Sequence, residues 1–314
     1  MLKSISELTD FYYKSLFPTL EKLEKDRKNL SHRIVIAGII LTSVAFIIAY
    51  ALGSFYEFVL IGYIIIGLFI YRFLVHDYIS EFKNNVIRPL VHVIDNSLEY
   101  SPSLHVAKHL FENSNLFLDS DRISGNDYVK GKIDGISIEF SDLHAEKQTQ
   151  NSKGKDEWST LFRGLFIVAE FNKNFSSQTV VLPDSAQSTF GDLIGHWLQS
   201  NNSTRDELVK MDNPEFEAEF VVYSNDQIEA RYILSHSLME KLLSFKNKSA
   251  HPLHVAFKAN RIYMAVSYDK DLFEPSIFRS LLEYKVAMEY VKTLHLAIGI
   301  VEELKLNQKL WSKR

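Results

Sequence analysis

The sequence predicts an α+β protein: an N-terminal two-span transmembrane helical hairpin, then a cytoplasmic domain with a mainly antiparallel sheet and a long C-terminal helix. Three observations carry that prediction. Ile34–Leu52 is a run of 19 uncharged residues, and Phe58–Tyr71 adds 14 more after the polar break GSFYE. Beyond about residue 100, apolar and polar residues alternate with period two in segments joined by turn residues such as Asp134-Gly135. Near the C-terminus, apolar residues recur every three or four positions, the period of a helix.

The first 33 residues hold seven Lys/Arg and five Asp/Glu. Leu2, Ile5, Leu8, Tyr12, Leu16, Leu20 and Leu23 form a helical stripe, which Pro18 should kink or split. We read 1–33 as a cytoplasmic amphipathic segment rather than a signal peptide, because the apolar run starts late and is too long. Its juxtamembrane cations also suit anionic lipid.

Residues 34–75 read as the hairpin, with spans at 34–52 and 58–75. Nineteen residues rise about 28 Å as a helix, close to the ~30 Å of hydrocarbon in a bilayer. Both runs are apolar on every face, whereas a soluble helix shows one apolar stripe. Lys22, Lys25, Arg27, Lys28 and Arg33 precede the pair and Arg72, Lys83 and Arg88 close it, while the break carries only Glu57. Excess cations stay inside, so both termini are expected in the cytoplasm. Gly62 and Gly67 would let the two helices approach.

Residues 76–100 continue as a helical stalk, with Tyr78, Phe82, Val86, Leu90 and Val93 on one stripe and a kink expected at Pro89. From 101 to 314 a single cytoplasmic α+β domain is expected. Its elements are a short helix at 104–113, a hairpin of DYVKGKI with ISIEFSDLHAEKQ, and a polar loop QTQNSKGKDEWS. An apolar strand LFRGLFIVAEF, a short strand TVVLP and a modest helix in SAQSTFGDLIGHWLQS follow. FEAEFVVYS and QIEARYIL predict a second hairpin across Asn225-Asp226. SLMEKLLSF predicts a helix, and LHVAFKAN with RIYMAVSY a third hairpin turning at Asn260. A final helix is expected from 274 to 306, with Asp271 and Glu274 at its start and Pro275 in its first turn. Its near-heptad stripe would pack on the sheet or support a homo-oligomer.

With no cysteine in 314 residues, disulfides, thiolate metal sites and cysteine nucleophiles are excluded. A formal net charge of −4 implies no nucleic-acid partner. After residue 75 there are 27 Lys/Arg against 33 Asp/Glu, an acidic body suited to protein partners more than to an anionic leaflet. His144 and Glu146, two apart on a strand, share a face, and His251 and His254 flank Pro252-Leu253, but the spacings fit no zinc pattern. Ser141, Asp142 and His144 would not converge on one strand, and no nucleophile elbow is present. Asp226, Glu229 and Arg231, opposite Glu217 and Glu219, read as cross-strand ion pairs. No catalytic, cofactor-binding or metal-ligating residue is assigned, and no cofactor.

The stretches GNDYVKGKIDGISIEFSDLHAEKQ, FRGLFIVAEFNKNFSSQTVVLPD and LVKMDNPEFEAEFVVYSNDQIEARYILSHSLMEKLL, with IGIVEELKLNQKLW, resemble the bacterial membrane proteins of domain-of-unknown-function family 3137 (DUF3137). The resemblance runs from about residue 95 to 312. It implies a multi-pass protein of the bacterial inner membrane and, as partner, a LemA-like membrane protein. It carries over no catalytic residue. Gly125, Asp127, Tyr128, Gly131, Gly135, Phe140, Ser141 and Glu146 read as turn and strand-packing positions. The function expected is an inner-membrane-anchored scaffold or adaptor that presents its α+β domain to a protein partner. The alternatives are a membrane-tethered hydrolase or metalloenzyme built on His144 and Glu146, or a lipid or small-ligand binder with an apolar cavity.

Overall fold

A computed structural model describes residues 3–52, 56–150, 154–170, 174–184 and 207–303. In chain order the helices are α1 (Ile5–Lys14), α2 (Phe17–Leu52), α3 (Tyr56–Phe82), a π-helical turn at Lys83–Ile87, α4 (Arg88–Ile94) and α5 (Lys108–Asn113). They continue with α6 (Pro214–Glu217), α7 (Gln227–Ile233), α8 (His236–Ser249) and α9 (Tyr284–Glu303). The strands are β1 (Glu99–Ser101), β2 (Arg122–Ile133), β3 (Ile136–Gln150), β4 (Asp156–Glu170) and β5 (Thr179–Pro183). They continue with β6 (Glu207–Leu208), β7 (Phe220–Ser224), β8 (Leu253–Lys258) and β9 (Arg261–Ser267). The class is therefore α+β, with two long apolar N-terminal helices, an antiparallel sheet and a C-terminal helix. The chain divides into two compact units, one of residues 3–93 with 273–292, the other of 94–272 with the chain from Thr293 on.

In the helical unit, Ser4 starts α1 with a reciprocal cap: the Glu7 N–H donates to Ser4 Oγ (3.2 Å) and the Ser4 N–H to Glu7 Oε2 (2.7 Å). The expected break at Pro18 falls just before it. Helix α1 ends at Lys14 and α2 starts at Phe17, leaving Pro18 in the first turn, where its missing N–H costs nothing. Leu8, Tyr12, Leu16, Leu20 and Leu23 are buried, as their spacing predicts. Helices α2 and α3 are long and apolar enough to cross a membrane. Their large apolar side chains face outward: Phe46 is 74%, Phe69 71% and Phe73 74% exposed. Of the two glycines proposed to bring the helices close, a Cβ on Gly67 would meet Leu41 at 3.5 Å, whereas Gly62 faces open space. The break Gly53–Phe55 lies outside the described residues.

Just before Pro89, where a kink is expected, the helix widens into the π-turn. Proline offers no N–H to the carbonyl four residues back, and the Arg88 N–H bonds instead to the Lys83 carbonyl, five back. Residues 273–283 belong to this unit and are not helical. The expected start of the tail helix near Glu274 is thus corrected to Tyr284, and 304–306 lie outside the described residues. The segment is held by stronger partners than a helix would offer it. Arg27 donates to the Ile277 carbonyl (2.7 Å), the Leu281 N–H donates to Glu24 (3.3 Å), and the Tyr12 hydroxyl donates to the Leu281 carbonyl (3.0 Å).

The other unit is built on a nine-stranded sheet of order β1-β2-β3-β4-β9-β8-β5-β7-β6, antiparallel at every pairing. The Asp134-Gly135 turn has positive φ at both residues (49° and 84°), the type I′ geometry its sequence predicts. The third hairpin turns at Ala259-Asn260, where Ala259 takes the positive φ (53°). In β4, Leu165 to Ala169 are all buried, so both faces of the sheet are covered there. On one face Phe111 of α5 packs on Phe166 (5.3 Å between ring centres) and Phe117 (5.4 Å).

Three expectations for this unit are corrected. QIEARYIL is helix α7, not a strand, because Asp226 caps it by accepting from the Ile228 and Glu229 N–H groups (2.9 Å each). The start of FEAEFVVYS is likewise helical: Asn213 accepts from the Phe216 N–H and Pro214 opens α6, leaving Phe220–Ser224 as strand. Most of QTQNSKGKDEWS is strand rather than loop. Gln148 pairs with Trp158 and Thr149 with Glu157, so β3 and β4 extend as a two-stranded ribbon. The short helix expected at 104–113 forms only over Lys108–Asn113. The helix expected within SAQSTFGDLIGHWLQS lies outside the described residues.

Candidate functional site

The residues singled out for chemistry are mostly consumed by structural bonds. His144 and Glu146 do approach, with Nδ1 and Oε2 3.9 Å apart across a bulge. Glu146, however, is held by Arg122 (2.6 Å), and His144 Nε2 lies 3.0 Å from Thr160 Oγ1. The His251 ring packs at a tilt against Tyr268 (4.2 Å between ring centres), while His254 is buried beside Phe117 (5.1 Å). Among the described residues no group of three or more acidic or histidine side chains could hold a metal ion. Ser141 accepts from the Val106 N–H (3.0 Å) and Asp142 from the Leu272 N–H (2.9 Å), so neither joins His144 in a triad. Glu229 bonds the backbone and hydroxyls of Ser176 and Ser177, and Arg231 donates to the Lys210 carbonyl; their expected pairing does not form. Glu219 pairs instead with Lys246 (2.5 Å).

A buried acidic corner lies beside these residues, where the sequence pattern alone points to packing positions. The register between β2 and β3 slips between Asn126 and Val129, and Asp127 sits there with φ of 59°. Bulges of this kind re-aim side chains. Asp127 is fully buried and accepts from the Tyr100 hydroxyl. Asn126 lies opposite Asp142 in register, and its Oδ1 is buried with no partner. Burial pushes the Asp142 carboxyl up to about 7; the Leu272 N–H opposes this, and Asp271 and Asp127 reinforce it. Arg163 is drawn off to Asp271 (2.8 Å), so Asp142 is left to neutral donors. The corner can hold a proton near neutral pH. The available signal was an Asn-Asp pair inside an otherwise alternating strand.

Close backbone approach explains two glycines nearby. A Cβ on Gly125 would lie 2.3 Å from the Asp142 carbonyl oxygen, and one on Gly131 2.5 Å from that of Ser97. They are strand-packing positions, as read from the sequence.

The same strands form an open groove of about 310 Å³, lined among others by Tyr128, Lys130, Lys132, Glu139, Glu170 and Arg261. Lys130 faces Glu139, and Glu170 faces Arg261, across neighbouring strands. Tyr128 donates to Glu139 (2.7 Å), and its own ionisation is suppressed by burial first and by that carboxylate second. Lys130 also meets Glu99 at 3.3 Å. A surface of alternating charge suits a polar partner more than an apolar ligand.

These features define a class: an antiparallel α+β domain joined in one chain to two apolar helices of bilayer length, with a charged groove on the sheet. The model of the family described as "Protein of unknown function (DUF3137)" matches residues 160–306, in keeping with the resemblance read from the sequence. The match leaves the stretch from Gly125 to Gln148, quoted above for its resemblance, outside. No curated protein matches the chain. A solved structure that does match is the crystal structure of the mycobacterial trehalose monomycolate transport factor A. The TM-score is 0.33 at 9% identity, over 66% of this chain and 88% of that one, a likeness too low to carry an argument.

Proposed function

We propose that this protein is an adaptor anchored in the bacterial inner membrane by α2 and α3, with both termini in the cytoplasm, which presents its sheet domain to a protein partner. The observation that carries the reading is the outward-facing apolar surface of both helices, Val35–Leu52 and Phe58–Phe73, which water would not tolerate over this length. The cations that flank the pair and are absent from the break support the orientation. The charged groove is the surface offered to the partner. A LemA-like membrane protein is the partner the family resemblance suggests, and a second copy of the chain is the other.

The chain has no cysteine, so single cysteines report cleanly. After carbonate washing of membranes the protein should remain in the pellet. Cysteines placed at Ser4 and Asp134 should react with an impermeant maleimide only after the cells are opened. Reaction in intact cells, or release by carbonate, defeats the anchoring. A photo-crosslinker at Lys132 should trap a co-expressed LemA-like protein, while one at exposed Lys14 should not; equal trapping at both defeats the partner assignment.

A further inference from the structure

We infer that the segment of α2 just before its apolar run is a binding face for the headgroups of anionic phospholipid. Lys25, Lys28, Asn29, His32 and Arg33 are all exposed, and their spacing of i, i+3, i+4, i+7 and i+8 puts them on one helical stripe. The opposite stripe, with Leu20, Leu23, Glu24 and Leu30, is buried. The charges are thus sorted by sign. Glu24, 8% exposed at its side chain, is taken up by Arg27 (2.8 Å) and the Leu281 N–H, while the Lys28 side chain is 70% exposed, its Nζ 4.0 Å from Glu24. On α3, Arg72 and His76, one turn apart, are exposed as well. The acidic residues left outside are Glu21, at the far end of the stripe, Asp77 beside His76, Asp26, half-buried, and Glu81, which is paired with Lys22 (3.1 Å).

The spacing fits the thickness of a lipid headgroup layer. That layer adds about 5–8 Å beyond the hydrocarbon on each side. With the hydrocarbon starting at Ile34, Arg33 and His32 lie inside it. Lys28 lies about 9 Å out, within reach of the layer by its long side chain, and Lys25 about 13 Å out. Each cation near an anionic surface adds attraction that fades over about 8 Å. The contributions should therefore rank Arg33, then Lys28, then Lys25.

This inference rests on the membrane anchoring proposed above, and the test separates the two. Full-length protein is reconstituted in phosphatidylcholine vesicles carrying spin-labelled phosphatidylglycerol or spin-labelled phosphatidylcholine. Phosphatidylglycerol should be immobilised about threefold more at low salt. The preference should collapse towards unity in 0.5 M salt and in the double variant Lys28→Gln/Arg33→Gln, and should persist in Lys14→Gln. Equal immobilisation of the two lipids by a chain that resists carbonate overturns the headgroup face and leaves the anchoring intact. A chain that fails to reconstitute at all overturns the anchoring. Removing cations can invert a hairpin, so single-cysteine labelling is run on the variant. If the variant is inverted, the salt titration of the natural sequence decides.

Discussion

Two buried carboxylates, one in each unit, respond to burial in opposite ways. Glu24 of α2 and Asp142 of β3 are both almost inaccessible. Burial pushes each carboxyl upward. At Glu24 the bonds from Arg27, Ser280 and the Leu281 N–H outweigh it and leave the group below its ordinary value. At Asp142 one N–H faces two neighbouring carboxylates, and the group ends at about 7. The helical unit pairs its buried charge; the sheet unit neutralises it with a proton. The difference lies in who claims the arginine: Arg27 turns to Glu24, whereas Arg163 turns to Asp271.

The largest effect should come from breaking the paired side. Arg27→Met strands Glu24 and releases the Ile277 carbonyl, at a cost of about 3–5 kcal/mol in chemical denaturation of the full chain in detergent. A loss under 1 kcal/mol would mean the pair is a surface-type contact. Next comes Gly131→Ala in the sheet unit, where the new Cβ meets backbone rather than a yielding side chain. It should lower stability by about 2–3 kcal/mol, read as a fall in Tm, with no change at Gly135→Ala beyond the strain of its turn.

The unpaired side is sharpened by pH. Asp142 is raised from 3.8 to about 7, so the stability it lends is complete below its unfolded value and is lost as pH climbs through 7. His254 is lowered by burial from 6.5 to about 4, against a backbone bond at Ala265, so its contribution is present above 6.5 and is lost as pH falls through 4. Over pH 4 to 7 the two slopes oppose each other. Asp142→Asn should raise stability on the order of 1–2 kcal/mol at pH 8, less towards pH 4. His254→Phe should remove the acid sensitivity. The double variant should be flatter than either single one in thermal melts across that range, and parallel curves for all four proteins would dispose of the idea. Smaller again, Arg122→Met removes a cation over the Trp158 ring (4.2 Å) and the half-exposed partner of the buried Glu146 carboxylate, which keeps His144 at 3.9 Å. It should cost about 1 kcal/mol and speed hydrogen exchange in the paired residues 147–150 and 156–159.

Legibility from the sequence followed the range of the forces. Where a side chain decides its own neighbourhood, reading succeeded: the apolar runs, the break before Pro18, the Asp134-Gly135 turn, and the buried stripe Tyr78, Phe82, Val86 and Leu90. QIEARYIL failed because its alternation imitates a strand while the Asp226 cap, one residue upstream, decides for helix. Residues 274–283 failed because their helical spacing is overruled by partners some 250 positions away, Glu24 and Arg27. The site was the least legible part. The groove and the acidic corner are assembled from β1 to β4 and β9, and only the odd Asn126-Asp127 within β2 hinted at them.

The wide turn at Lys83–Ile87 has a bearing on how such an anchor could change over evolution. An α-helix advances 100° per residue, so one residue absorbed in a wider coil shifts the azimuth of everything that follows by roughly a quarter-turn or more. The angular phase that points Phe69 and Phe73 outward is thereby uncoupled from the one that tucks Leu90 and Val91 away. The outward apolar surface and the buried surface on this continuous helical stretch can drift independently, with Pro89 acting as the clutch.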